Sequence, residues 1–136
     1  MSEAANELGD IYRRSVLYYA GTRSFESIAP VVPPRQFPIG APRTPPAVPA
    51  GRRTVDVRGT WQHPTWQALD YTIDGPHYFA YEYDSAGVGA GASFTARAFG
   101  DLDGNGVFST YERAAHVDEH DAVLPTGGLW VKDQVE

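Results

Sequence analysis

Leu8, Ile11, Tyr12, Val16 and Tyr19 fall along "SEAANELGDIYRRSVLYYAGTRSF" at i, i+3, i+4, i+8 and i+11, the repeat of one helical face. The spacing predicts an amphipathic helix over 2–20. Ser2 caps its start, Glu3 and Glu7 suit the positive end of its dipole, and Gly21 supplies a stop. The pattern then breaks, because residues 30–50 hold eight of the eleven prolines. Such a run excludes a regular helix and a central strand. "PPRQFP" has the look of a polyproline ligand, but an extended connection wrapped over its own domain is the preferred reading. Past residue 60 the period changes to two. "HYFAYEY" puts Phe79, Tyr81 and Tyr83 on one face and Tyr78, Ala80 and Glu82 on the other. "SFTARAFG" does the same with Phe94, Ala96 and Ala98 against Ser93, Thr95 and Arg97, and the two runs read as an antiparallel hairpin. "VFSTYERAAHV" and "GGLWVKDQ" are further strands, separated by the polar "DEHDAVLPTGG". Thr65 is placed to cap a short turn carrying Trp66 and Leu69, and "DGP" at 74–76 is a turn. The expected fold is α+β: one N-terminal helix packed on an antiparallel sheet of about four strands, with a long proline-rich connection over 21–60.

Composition adds limits. A chain of 136 residues makes a single domain, and 42% hydrophobic with 21% charged residues is a globular balance. The net charge of −6 opposes binding to nucleic acid and to anionic lipid. With no cysteine, thiolate catalysis, disulfides and cysteine-based zinc sites are excluded. No stretch approaches the ~18–20 apolar residues of a membrane span.

The carboxylate excess gains meaning at "DLDGNGVFSTYE", residues 101–112, which fits the calcium-loop pattern D-x-[DN]-x-[DN]-G-x5-E. A hard dication takes six to eight oxygens at about 2.3–2.6 Å, so short carboxylates must converge from alternate residues. Asp101, Asp103 and Asn105 would supply side-chain oxygens, Gly106 the turn, Val107 a carbonyl, Ser109 a bridging water and Glu112 a closing carboxylate. On a strand, however, Glu112 would point away from the loop. The competing reading is a plain hairpin turn, since "DGNG" is rich in Asx and glycine turn chemistry. A turn alone does not call for Asp101, Asp103 and Glu112 together, so a structural calcium ion is the stronger expectation.

"HVDEH", 116–120, matches H-x-x-E-H, an inverted zinc-peptidase motif that needs both histidines one turn apart on a helix. Its flanks are not helical, so His116, Glu119 and His120 read as a solvated acidic loop. His63 and His77 stand alone beside prolines, and no nucleophile elbow, P-loop or dinucleotide fingerprint is present. The expectation is that the protein is not an enzyme.

Several stretches together resemble the globular part of bacterial type IV pilins and related pilin-like proteins. "SEAANELGDIYRRSVLYY" is similar to the segment following the membrane-spanning half of the long pilin helix. "WQALDYTIDGPHYFAYEYDSAG" resembles the family's W-x-x-L, turn, D-G-P, aromatic-strand block. "FTARAFGDLDGNGVFSTYER" resembles its hairpin bearing GDLDGDG, and "GGLWVKDQVE" its closing strand. The family's leader, glycine cleavage site, following glutamate and apolar helical segment are missing, which suggests a truncation. Its C-terminal disulfide has no counterpart here. The resemblance implies a structural subunit that sits in the inner membrane before assembly. It then packs with other copies of itself, through the N-terminal helix, into an extracellular filament built by a pilus assembly machinery. A pseudopilin of a type II secretion system has the same implied design. A secreted calcium-binding or adhesive module outside any filament is the alternative from another class, with Trp61, Trp66 and Trp130 as candidate contact residues.

Overall fold

The computed structural model describes residues 3–26, the last six as backbone alone, and 36–132. Ser2, residues 30–35 and 133–136, on which parts of the expected cap, connection and closing strand fall, lie outside the described residues. Helix α1 (Glu3–Glu26) buries Ala4, Leu8, Ile11, Ser15 and Tyr19 and half-buries Tyr12 and Val16. It runs through Gly21 instead of ending there. A helical glycine costs only about 1 kcal/mol relative to alanine, which a packed helix absorbs. Ser15 belongs to the buried stripe because its hydroxyl is satisfied twice. It donates to the Ile11 carbonyl at 2.8 Å and accepts from the Tyr83 hydroxyl at 2.9 Å.

The sheet has six strands, all antiparallel: β1 (Ala41–Thr44), β2 (Phe79–Ala86), β3 (Ser93–Gly100), β4 (Ser109–Val117), β5 (Val123–Pro125) and β6 (Trp130–Lys132). They lie in the order β1-β2-β3-β4-β5, and β6 shares the outer edge of β4 with β5. This overturns the expected pilin-like fold with about four strands; the domain is mostly sheet. Two short edge strands account for the difference. β1 forms inside the proline-rich stretch, where an edge position leaves one row of backbone groups unpaired and so tolerates Pro42. β5 is three residues long, too short for any alternation to show. Between β1 and β2 a short helix, α2 (Pro64–Leu69), is capped by His63, whose Nδ1 accepts from the Thr65 amide at 3.2 Å. Thr65 is therefore not the cap; it is buried, and its hydroxyl donates to the Ile39 carbonyl.

Alternation sets the two faces of the sheet. Phe79, Tyr81, Tyr83, Phe94, Ala96, Ala98, Tyr111, Ala115 and Val117 are all buried on the helix side. Ala96 and Ala98 leave room for α1, and the rings fill the rest: Tyr83 stacks on Phe94 with centroids 5.4 Å apart, and Phe37 meets Phe94 edge-on at 4.8 Å. Polar bonds add to this contact. Glu3 accepts from the amides of Tyr78 (2.8 Å) and Phe79 (3.1 Å) and from the Tyr81 hydroxyl (2.8 Å), and Glu7 accepts from the Tyr71 hydroxyl (2.7 Å). The opposite face carries Arg97, which bonds Glu82 on β2 at 3.1 Å and Glu112 on β4 at 2.7 Å, and also Asp84. Both glutamates stand directly opposite it in the register. Burial tends to lower the guanidinium's pKa, but the bonds from Asp84 and Glu112 carry it above its ordinary value.

Gly100 ends β3. A Cβ there would collide with the fully buried Phe79 ring, which packs edge-on against Tyr111 at 5.6 Å. Gly100→Ala is expected to destabilise the domain by about 1–3 kcal/mol, the usual range for overpacking. A urea midpoint equal to that of the unaltered protein would refute this contact.

Candidate functional site

The turn from β3 into β4 holds the aspartate loop, and the residues before it dictate where it points. Gly100 pairs with Ser109 at the last rung of the hairpin, so Asp101 leaves the sheet at its end and Asp103 to Val107 project into solvent. Asp101 is 4% exposed. Its carboxylate closes the loop from inside: Oδ1 accepts from the Asn105 amide at 3.1 Å and Oδ2 from the Gly106 amide at 3.0 Å. Asp103 Oδ1 accepts from the same Asn105 amide at 3.2 Å. The two carboxylates thus converge on one donor. Asn105 donates from its side chain to Asp103 Oδ2 (3.0 Å) and accepts from the Val107 amide (2.8 Å). Gly104 and Gly106 adopt φ of 71° and 85°, which L side chains rarely take. From behind, the Gly51 amide donates to the Asp101 carbonyl at 2.8 Å, tying the proline-rich connection to the loop.

Of the residues expected to hold calcium, Asp101, Asp103 and Asn105 are brought together, and Val107 follows in the same turn. Glu112 is not with them. It sits three rungs up the hairpin, roughly 10 Å away at ~3.3 Å per residue, and its carboxylate is engaged by Arg97. Ser109 is buried in β4. Among the described residues no three carboxylate or histidine side chains converge as a metal cluster. Each carboxylate oxygen here accepts few protein bonds and has lone pairs to spare. Asp101, Asp103, the Asn105 oxygen and the Val107 carbonyl would therefore form an incomplete cage, needing water to reach the six to eight oxygens of calcium.

The other candidate motif is dispersed by the fold. His116 lies in β4 with Nδ1 2.6 Å from the Thr126 hydroxyl, while Glu119 and His120 are exposed in the turn before β5. Asp118 organises that turn by accepting from the amides of Ala122 (2.9 Å) and His120 (2.8 Å), and the Ala122 bond leads in holding its carboxyl below the usual range. The histidines are not one helical turn apart, so a zincin-type site is not built. Trp61 and Trp66 are core residues, whereas Trp130 on β6 is 50% exposed.

One cluster had no sequence signal. His77, seemingly isolated, is buried, with Nε2 2.7 Å from Asp56 Oδ2 and Nδ1 2.7 Å from the Phe79 carbonyl. Asp56 Oδ2 also accepts from Trp61 Nε1 at 2.8 Å. The partners lie on separate segments, and only the packing of the connection against β2 joins them. Across the whole chain no family model matches, and neither a curated protein nor a solved structure matches it.

Proposed function

We propose that this domain is the structural, surface-exposed part of a subunit of a type IV pilus or related filament, stabilised by a calcium ion held in the loop 101–107. The observation that carries the calcium reading is the convergence of the Asp101 and Asp103 carboxylates on the Asn105 amide, at the tip joining the two central strands. Two like charges there repel, and a dication turns the repulsion into a cross-link between β3 and β4. Glu112 is left out of this ligand set. The filament reading draws on the sequence resemblance and on the disposition of α1. One side of the helix is bonded to the sheet, while the other presents Arg13 and Leu17, the latter 58% exposed, for contact with other copies of the chain. No described helix is long and apolar enough to cross a membrane. A pseudopilin would use the same features.

Melting in excess calcium and in chelator tests the loop. At about a hundredfold excess over the dissociation constant, ligand linkage adds ~2.7 kcal/mol. Asp103→Ala, at an exposed position, is expected to abolish the difference with little effect on the metal-free protein. Superimposable curves in calcium and chelator would defeat the metal reading and leave the loop a hairpin turn.

A further inference from the structure

We propose that the cleft beside Asp56 is a binding site for a neutral polyhydroxyl ligand, a sugar unit, separate from the aspartate loop. The cleft, of about 390 Å³, lies between the chain of 56–62, Gln67 and the segment 72–74. Its volume falls within the ~300–1,000 Å³ range of small-molecule sites.

Asp56 marks the cleft as built for a ligand. Its side chain is only 6% exposed, yet every hydrogen bond it makes among the described residues falls on Oδ2. Oδ1 therefore remains for whatever enters the cleft that Asp56 lines. No buried side-chain oxygen or nitrogen among the described residues lacks a partner, so Oδ1 faces solvent across the cleft, where a ligand hydroxyl can donate to it in place of water. The residue is also locked. Trp61 Nε1 and His77 Nε2 hold Oδ2 from two directions, Trp61 is 5% exposed, and Gln67 Nε2 donates to the Trp61 carbonyl at 3.0 Å.

The chemistry of the ligand follows from charge. Asp56 Oδ2 already accepts from Trp61 Nε1 and lies 2.7 Å from His77 Nε2, so the cleft is offered a single acceptor oxygen, Oδ1, and not an open carboxylate. The rim adds one guanidinium, Arg58, and one carboxylate, Asp74, neither of them in an ion pair with a described residue. A cation would meet Arg58 and an anion would meet Asp74. A neutral ligand whose hydroxyls both donate and accept suits all of them, with the free amide oxygen of Gln67, the Gln62 amide and the Thr72 hydroxyl as further partners.

The test is a titration of the whole chain, watched by amide and indole N–H resonances. The probes are the methyl glycosides of glucose, galactose, mannose and N-acetylglucosamine, each to about 50 mM, with methylamine and acetate as charged controls. At least one glycoside is expected to give saturable shifts at the Trp61 indole and the Gln67 side chain. Asp56→Asn, which turns an acceptor into a donor, is expected to weaken that binding about tenfold. Gln62→Ala alters an exposed wall residue away from the core and is expected to weaken it several-fold even where Asp56→Asn folds poorly. Absence of saturable shifts with all four glycosides, or shifts with methylamine or acetate alone, would overturn the proposal. So would glycoside binding unchanged in Gln62→Ala.

Discussion

Raising the pH above 10 is expected to unfold this domain steeply. Tyr71, Tyr81 and Tyr83 are buried, and burial pushes each phenol well above its ordinary value of 10.0. For Tyr71 the neighbouring Glu7 charge adds to the effect of burial, and for Tyr81 the Glu3 charge does so; the Ser15 bond to Tyr83 only partly offsets its burial. Below pH 10 these groups are protonated in both folded and unfolded chains, so their contribution is fully present. Above it the unfolded chain releases protons that the folded one keeps. Stability then falls as pH rises towards the folded values, by about 1.4 kcal/mol per pH unit for each group and ~4 kcal/mol per unit for the three together. Against a total of ~5–15 kcal/mol for a typical domain, two to three pH units would exhaust the reserve. Urea midpoints at pH 9, 10 and 11 check this, with tyrosinate absorbance alongside. All eight tyrosines titrating smoothly with a constant midpoint would contradict the buried bonds to Glu3, Glu7 and Ser15.

Trp66→Ala is expected to cost about 3–5 kcal/mol, the range for emptying a large aromatic site. Trp66 is fully buried, and its ring lies 5.3 Å from Trp61, 5.5 Å from Tyr71 and 6.3 Å from Tyr83. Its indole N–H donates to the buried Thr44 hydroxyl at 3.0 Å, so the substitution also removes the tie between α2 and β1. Trp130→Ala, at a half-exposed ring on an edge strand, should lie within about 0.5 kcal/mol of the unaltered protein. Equal losses for the two variants in chemical denaturation would show that the aromatic cluster is not the core.

The three long strands were readable because one face of each is buried, and a buried face imposes alternation: Phe79, Tyr81 and Tyr83, then Phe94, Ala96 and Ala98. β1 was hidden because proline disqualifies a central strand, whereas Ala41–Thr44 is an edge. β5 was hidden by length. In α1 the apolar repeat located the helix, but Ser15 joins the buried stripe through hydrogen bonds, which periodicity does not register. Glu3 and Glu7 looked like dipole partners; they also bond to Tyr78, Phe79, Tyr81 and Tyr71, contacts that depend on the tertiary fold. At the loop, Asp101, Asp103 and Asn105 come together because they lie within a single turn. Glu112 does not, because motif spacing counts residues along the chain, whereas pairing with Arg97 on the sheet face decides where that carboxylate points. Asp56 and His77 illustrate the same limit, 21 residues apart and joined only by packing.

The filament reading is tested most directly by shearing intact cells that make this protein, pelleting the released filaments and probing for the chain. The account predicts the chain in the pelleted filaments, with chelator increasing its proteolysis at residues 101–107. Recovery of the chain solely as a free monomer, with no filament-bound fraction, would contradict it.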